Sequence, residues 1–217
     1  MNGDQYDESY YERGVETRVS GYQNYRWLPH YVLPLANALK WRYLRPDSKS
    51  ETVLDFGCAK GFLVKAFRLL GVEAYGFDIS LYAITNCDPA VTPFVYCRLP
   101  PHQKFSLVVA KDTLEHVSYQ AIDDTLLTIR RLTDRTCVVT VPLGDIIPGG
   151  KAKLYRIREY ELDKTHVIRE DECWWIERFN QAGFRVEEFH YDFPGAKEHW
   201  LKVHPHGNAT FVLSPRE

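Results

Sequence analysis

The chain lacks any long hydrophobic run. Stretches such as Phe105 to Ala110 span six residues, far short of the roughly 20 that a membrane-crossing helix needs, which excludes a polytopic membrane protein. The first residues, Met1 to Glu12, are acidic and tyrosine-rich rather than basic and then apolar, so no secretory signal is expected and the chain is placed in the cytoplasm. An excess of one charge is missing too: 27 Lys and Arg stand against 29 Asp and Glu, a formal net charge of -2. That balance makes no field to gather nucleic acid, although it leaves room for a local basic patch. The five cysteines (Cys58, Cys87, Cys97, Cys137, Cys173) form no Cys-x-x-Cys pair. Zinc knuckles and redox couples are thereby removed, and reduced structural thiols remain. Internal repeats and Gly/Ser-rich linkers are also absent. What is present, 217 residues of which 45% are apolar and 26% charged, predicts one globular domain with a sizeable core.

The strongest shift in composition falls near residue 50. Before it, residues 1–48 crowd Tyr6, Tyr10, Tyr11, Tyr22, Tyr25 and Trp27 into an otherwise polar, partly helical segment, expected to act as a cap or lid or to pack as core. After it, over residues 49–217, strand-like and helix-like runs alternate. Thr52 to Phe56 reads as a strand; Phe62, Leu63, Ala66, Phe67 and Leu70 then recur at helical spacing until Gly71 stops them. Ala74 to Phe77 is a second strand ending at Asp78, a helix begins at Leu81, and Phe94 to Cys97 is a third strand between Pro93 and Pro100. Phe105 to Ala110, nearly all apolar, suits a central strand covered on both faces. A helix around Asp123 to Leu132 and a strand from Thr136 to Val141 come next. An irregular insertion at about 143–169 precedes a helix near Glu172 to Gln181, and Phe184 to Tyr191 with Ala209 to Leu213 suit an antiparallel edge, since the connection between them carries no clear helix. The alternation predicts an α/β fold with a doubly wound, mostly parallel seven-stranded sheet.

In such sheets ligands sit at the carboxyl ends of the strands, where strand order reverses. The first strand-to-helix turn reads Asp55-Phe56-Gly57-Cys58-Ala59-Lys60-Gly61, with glycines where the backbone must bend or approach a ligand. Asp78 lies 23 residues after Asp55, at the end of the next strand, where a carboxylate can accept both hydroxyls of a ribose. The spacing is not the G-x-G-x-x-G that seats a pyrophosphate, which argues against a nicotinamide-dependent oxidoreductase and for a nucleoside without a pyrophosphate. Val53 to Gly61 resembles the first motif of the class I S-adenosylmethionine-dependent methyltransferases, an acidic residue, any residue, Gly, three residues, Gly. Asp78 resembles their ribose-binding acid, and Phe105 to Val117, with its Leu114-Glu115-His116-Val117 block, is similar to their fourth strand and the segment after it. Asp163-Lys164-Thr165-His166 and Ala182-Gly183-Phe184 resemble their C-terminal half. The resemblance implies S-adenosylmethionine as cofactor and S-adenosylhomocysteine as product. Asp55, Gly57, Cys58, Ala59 and Gly61 would line the methionine half, Asp78 and Ile79 the ribose and adenine, and Lys111 and Asp112 the sulfonium end. Cys58 would contribute backbone rather than thiol chemistry.

Methyl transfer from a sulfonium is an in-line displacement governed mainly by alignment, worth up to about 7–11 kcal/mol. A hydroxyl acceptor must also lose a proton, to which a placed base adds about 10²–10⁴-fold. His116, directly after the fourth strand, is the first choice as base, and His166 the second; the other histidines, among them His102, His204 and His206, are expected in solvent-facing loops. Asp112, Glu115 and His116 place two carboxylates and an imidazole within five residues. Some relatives with Glu-x-x-Glu-His bind a divalent metal there to acidify a hydroxyl, and Asp112 departs from that pattern. Between Gly144 and Arg169, Lys151, Lys153, Arg156, Arg158, Lys164 and Arg169 outnumber Glu159, Glu161 and Asp163 by three, which suits either an anionic acceptor or solvated loop charge. The expected activity is methylation of a small polar molecule, first of all at a hydroxyl of a sugar, phenol or natural-product intermediate. The alternatives are a metal-assisted ribose 2'-O-methyltransferase and a non-catalytic nucleoside-binding protein of the same fold. A small-molecule acceptor is the expected partner, with neither membrane nor nucleic acid, and the sequence does not set the oligomeric state.

Overall fold

The computed structural model describes residues 3–46, 50–99, 104–147 and 152–216. Two short helices open the chain, α1 (Glu8–Glu12) and α2 (Gly14–Thr17), and a longer one comes after them, α3 (Pro29–Tyr43). Asp7 caps α1 by accepting the Tyr10 N–H at 3.1 Å. Then come β1 (Thr52–Phe56), α4 (Phe62–Leu69), β2 (Glu73–Phe77), α5 (Leu81–Thr85), β3 (Val95–Tyr96), β4 (Phe105–Lys111), α6 (Ile122–Leu132) and β5 (Thr133–Pro142). The chain continues through β6 (Gly144–Ile146), β7 (Lys153–Tyr155), α7 (Glu172–Gln181), β8 (Phe184–His190), α8 (Glu198–Leu201) and β9 (Asn208–Pro215).

Seven strands form one sheet in the order β3-β2-β1-β4-β5-β9-β8. β1 pairs in parallel with β2 on one side and β4 on the other, so the winding reverses at the carboxyl end of β1. β9 runs antiparallel to both β5 and β8. The fold is thus the doubly wound, mostly parallel sheet with an antiparallel C-terminal edge that the periodicity predicts. Alternate residues of a strand face opposite layers, and both layers are apolar. Leu54, Val108 and Ala110 pack with Ile129 of α6 and Trp175 and Phe179 of α7. Val53, Leu107 and Val109 pack with Leu35 and Leu39 of α3 and with Phe67 of α4.

Four local expectations change. The third strand covers only Val95–Tyr96, because Pro93 sits in a 3-10 turn, Thr92–Phe94, that runs straight into it; Pro100 lies outside the described residues. The insertion is not irregular: β6 and β7 form an antiparallel hairpin, with a 3-10 turn at Arg158–Leu162 beyond it. The link between the last two strands holds the short helix α8. Finally, the described residues before β1 are divided, because α3 is part of a sheet-covering layer. Only the tyrosine-rich stretch before it forms a separate cluster, in which Tyr6, Tyr10 and Tyr11 are buried with Ala83.

Candidate active site

At the carboxyl end of β1 the chain turns through Gly57 (φ +87°), Ala59 (φ +48°) and Gly61 (φ +75°). A Cβ on Gly57 would come within 2.3 Å of the Thr113 side chain, so the turn closes against the loop after β4 only because that atom is missing. The Gly57 and Cys58 N–H groups both donate to the Phe77 carbonyl, at 2.7 and 3.0 Å, which ties the turn to β2. Asp78 completes the link: one carboxylate oxygen accepts the Ala59 N–H at 2.7 Å and the other the Ser80 N–H at 2.8 Å. Burial, and secondarily the Asp78 charge, push the Asp55 carboxyl up to about 7. Two buried carboxylates facing one cavity of about 1130 Å³ make a setting for a cationic ligand.

The other side of that cavity is assembled from distant segments. His116 closes a 3-10 turn after β4 and faces His166, with ring centroids 4.6 Å apart. The His116 Nδ1 lies 2.8 Å from Thr165 Oγ1, which donates its only proton to Asp163 Oδ1 at 2.6 Å. Thr165 therefore accepts from His116 Nδ1–H, and the imidazole keeps its lone pair on Nε2. By the same logic His166 donates from Nδ1 to the Tyr160 carbonyl at 2.9 Å. The second Asp163 oxygen accepts the Tyr10 hydroxyl at 3.0 Å, joining the N-terminal stretch to this network. Burial, and then the neighbouring His166, lower the His116 imidazole to about 4, while burial and the Asp112 charge raise Glu115 to about 8. Glu115, 1% exposed, has no hydrogen-bond partner at Oε2 among the described residues. Glu115, His116 and His166 each offer a ligand atom within 4.8 Å of the others, a group able to hold a divalent cation.

Asp112 is not part of that group. Its carboxylate is held by Lys111 on one oxygen and by Lys197 at 2.6 Å on the other. Burial opposes its ionisation, yet the two lysines outweigh that and keep it below the usual carboxylate range. Of the three residues Asp112, Glu115 and His116, only the last two stand in the group that could hold a metal, and His166 joins them there.

A family described as a methyltransferase domain matches residues 28–189. The chain belongs to this methyltransferase family. No curated protein matches it. Among solved structures it is similar to an S-adenosylmethionine-dependent methyltransferase from Archaeoglobus fulgidus, at 17% identity over 83% of this chain and 93% of that one, with a TM-score of 0.58. CcbJ methyltransferase from Streptomyces caelestis matches at 15% identity over 86% and 95%, with a TM-score of 0.58. A methyltransferase from Haloferax volcanii, solved with the Trm112 methyltransferase activator, matches at 16% over 84% and 94%, with a TM-score of 0.60. At these identities the likeness is one of fold.

The methyltransferase cofactor is S-adenosylmethionine, and the crevice fits it, since the buried Asp55 and Asp78 beside the glycine-bent turn would receive its cationic and ribose portions. Of the residues expected to hold it, Asp55, Gly57, Cys58, Ala59, Asp78, Ile79, Lys111 and Asp112 all line the cavity. Gly61 does not: its missing Cβ leaves room for Val91 and Val95, each 2.9 Å from where that atom would be. The Cys58 thiol packs over Gly76, 2.6 Å from the place of a Cβ there, and burial raises its pKa. Both His116 and His166 line the cavity. The remaining histidines are not uniformly loop residues: His30 opens α3, and His190 lies on β8 bonded to Glu188 at 2.8 Å. His102 lies outside the described residues.

Three cations of the insertion are committed to ion pairs. Asp145, in the same stretch, reduces the excess to two. Arg156 pairs with Asp145 and Glu172, Lys153 with Glu170, and Arg169 with Glu161; Lys151 lies outside the described residues. Sequence reasoning missed Lys197 and Tyr160, which bond each other at 2.7 Å on the cavity wall. No local pattern marks them, because they meet through tertiary packing. Thr165 belongs to the Asp163-to-His166 motif, yet its hydroxyl bonds His116, while the Asp163 carboxylate reaches His116 through Thr165 and lies 4.0 Å from His166 Nε2.

Proposed function

We propose that this methyltransferase methylates a hydroxyl of a small molecule, with His116 as the proton acceptor. S-adenosylmethionine supplies an electrophilic methyl group on a sulfonium. Asp55 and Asp78 hold its cationic and ribose portions, and the glycine-bent turn lets main chain approach them. The hydroxyl proton passes to Nε2 of His116, whose Nδ1–H is fixed by Thr165 and Asp163; His166 faces the same space as a second acceptor. The Tyr6, Tyr10 and Tyr11 stretch covers the cavity as a lid and excludes water. The observation that carries this reading is the joining of both carboxylates and both imidazoles in one cavity. The cofactor turn is intact, which favours an enzyme over a non-catalytic nucleoside binder.

Calorimetry with S-adenosylhomocysteine tests the cofactor half: micromolar binding is expected, with a loss of at least 100-fold in Gly57→Val, whose new side chain would strike Thr113. Absence of binding in the unaltered protein removes the reading. For the base, His116→Ala is expected to reduce turnover while sparing that affinity.

A second reading is favoured by the unpartnered Glu115 Oε2. In it, Glu115, His116 and His166 hold a divalent cation that acidifies the hydroxyl in place of a base. Stoichiometric manganese or zinc binding by calorimetry, lost in Glu115→Gln, is its expected mark; no heat with either ion leaves the general-base reading standing.

A further inference from the structure

Resting on the proposed hydroxyl methylation, we infer that the acceptor is an uncharged phenol carried on an apolar ring system rather than a sugar, a phosphorylated metabolite or a nucleic acid. The cavity exceeds the roughly 300–1,000 Å³ of single-ligand pockets, so it has room for a second molecule beside the cofactor. Beyond the cofactor turn its lining draws on α2, the start of α3, the turn at Arg158–Leu162, whose Tyr160 packs on His166, and α8. These segments are aromatic, with Tyr31, Tyr160 and Trp200 lining the cavity, and Tyr22 joins them from the loop between α2 and α3. At its mouth three large apolar side chains stand in solvent: Val15 at 57% exposure, Tyr31 at 52% and Leu162 at 66%. Apolar surface gathered at the lip of a binding cavity is surface that a ligand covers.

Charge points the same way. Among the described lining residues there are eight carboxylates against three lysines and no arginine. Two of those lysines, Lys111 and Lys197, are already paired with Asp112. The insertion's Arg156, Lys153 and Arg169 are paired with Asp145, Glu172, Glu170 and Glu161, acids outside the lining. A phosphate or carboxylate on the acceptor would meet net negative potential with no guanidinium to receive it. A sugar would leave several hydroxyls against tyrosine and leucine carbon. A ring-borne phenol satisfies both constraints: stacking surface for the aromatic wall, and one polar end to reach the imidazoles.

The test uses the full chain saturated with S-adenosylhomocysteine and four probes: 2-naphthol, 7-hydroxycoumarin, glucose 6-phosphate and uridine. Calorimetry is expected to show both phenols binding at least 20-fold tighter than either polar probe, with methyl incorporation from labelled cofactor ranking them in the same order. Leu162→Asp and Tyr31→Asp change exposed positions, so they keep the fold. Each is expected to weaken 2-naphthol at least tenfold while S-adenosylhomocysteine affinity stays within twofold. Tighter binding of glucose 6-phosphate or uridine, or unchanged naphthol affinity in both variants, overturns the inference. If S-adenosylhomocysteine itself does not bind, the methyltransferase reading fails instead, and the ranking of probes on the protein alone still decides the acceptor class.

Discussion

The proposed cofactor crevice and the proposed acceptor chamber share one cavity but are built in opposite ways. The crevice comes from a nearly continuous stretch, β1 through the residue after β2, and its working groups are main-chain N–H donors and two strand-end carboxylates. The chamber draws on Tyr10 near one end of the chain, His116 in the middle, Asp163 to His166 beyond it and Lys197 later still, joined mainly through side chains, with the Glu115 carbonyl also accepting the Val167 and Ile168 N–H groups. A crevice made of backbone tolerates little change in its glycines and acids; a chamber made of side chains can be rebuilt for another acceptor without disturbing it.

The most severe challenge to this contrast is through Asp55. Its carboxyl titrates near 7 in the folded chain, against about 3.9 when exposed. The folded state therefore binds more protons between about pH 4 and 7, and stability falls as pH rises through that window. In Asp55→Asn without cofactor, the melting temperature at pH 8 is expected to exceed that of the unaltered chain, by a stability gain of up to about 4 kcal/mol, with the two nearly equal at pH 4. The same variant is expected to lose cofactor affinity. An equal difference at both pH values would mean that Asp55 is not the strained acid of the crevice.

On the chamber side, Asp112→Asn leaves Lys197 buried without its counter-charge, at an expected cost of about 3 kcal/mol. Denaturant melts check it, and adding Lys197→Met should recover part of the loss; no recovery would show that the two act separately. The smallest effect is expected at Thr165. Thr165→Val removes the acceptor of His116 Nδ1–H, worth about 1 kcal/mol, so turnover should fall roughly five- to tenfold with cofactor affinity unchanged. Thr165→Ser should restore it. Nitrogen NMR of His116 provides the independent readout, since loss of the Nδ1–H tautomer signal in the valine variant alone separates positioning from general damage.

The same division explains which parts were legible in the sequence. Strand and helix periods are local, so β1, β4, α6 and α7 could be read within a few residues, as could the crevice from Asp55 to Asp78. Pairing across the sheet is not local: nothing in Ala209 to Leu213 says that it lies between β5 and β8. Asp112 and Glu115 look alike as letters three residues apart. Only packing separates them, because Lys197 arrives from the link before β9 to neutralise one and leaves the other without a hydrogen-bond partner at Oε2 among the described residues. The β6–β7 hairpin was missed because each strand has only three residues, too few to show an alternation. The split of the first 48 residues was hidden for a related reason, since tyrosine serves a lid and a core equally well.

The place of β9 has a consequence for biosynthesis. A ribosome delivers β8 before the strand that must lie between it and β5, so during elongation residues 184–190 have no ladder to join. Their backbone groups and the bare edge of β5 have to be shielded until residue 208 and beyond have emerged, which makes that interval the moment when the growing polypeptide is most open to chaperone capture or to pairing with a sister chain.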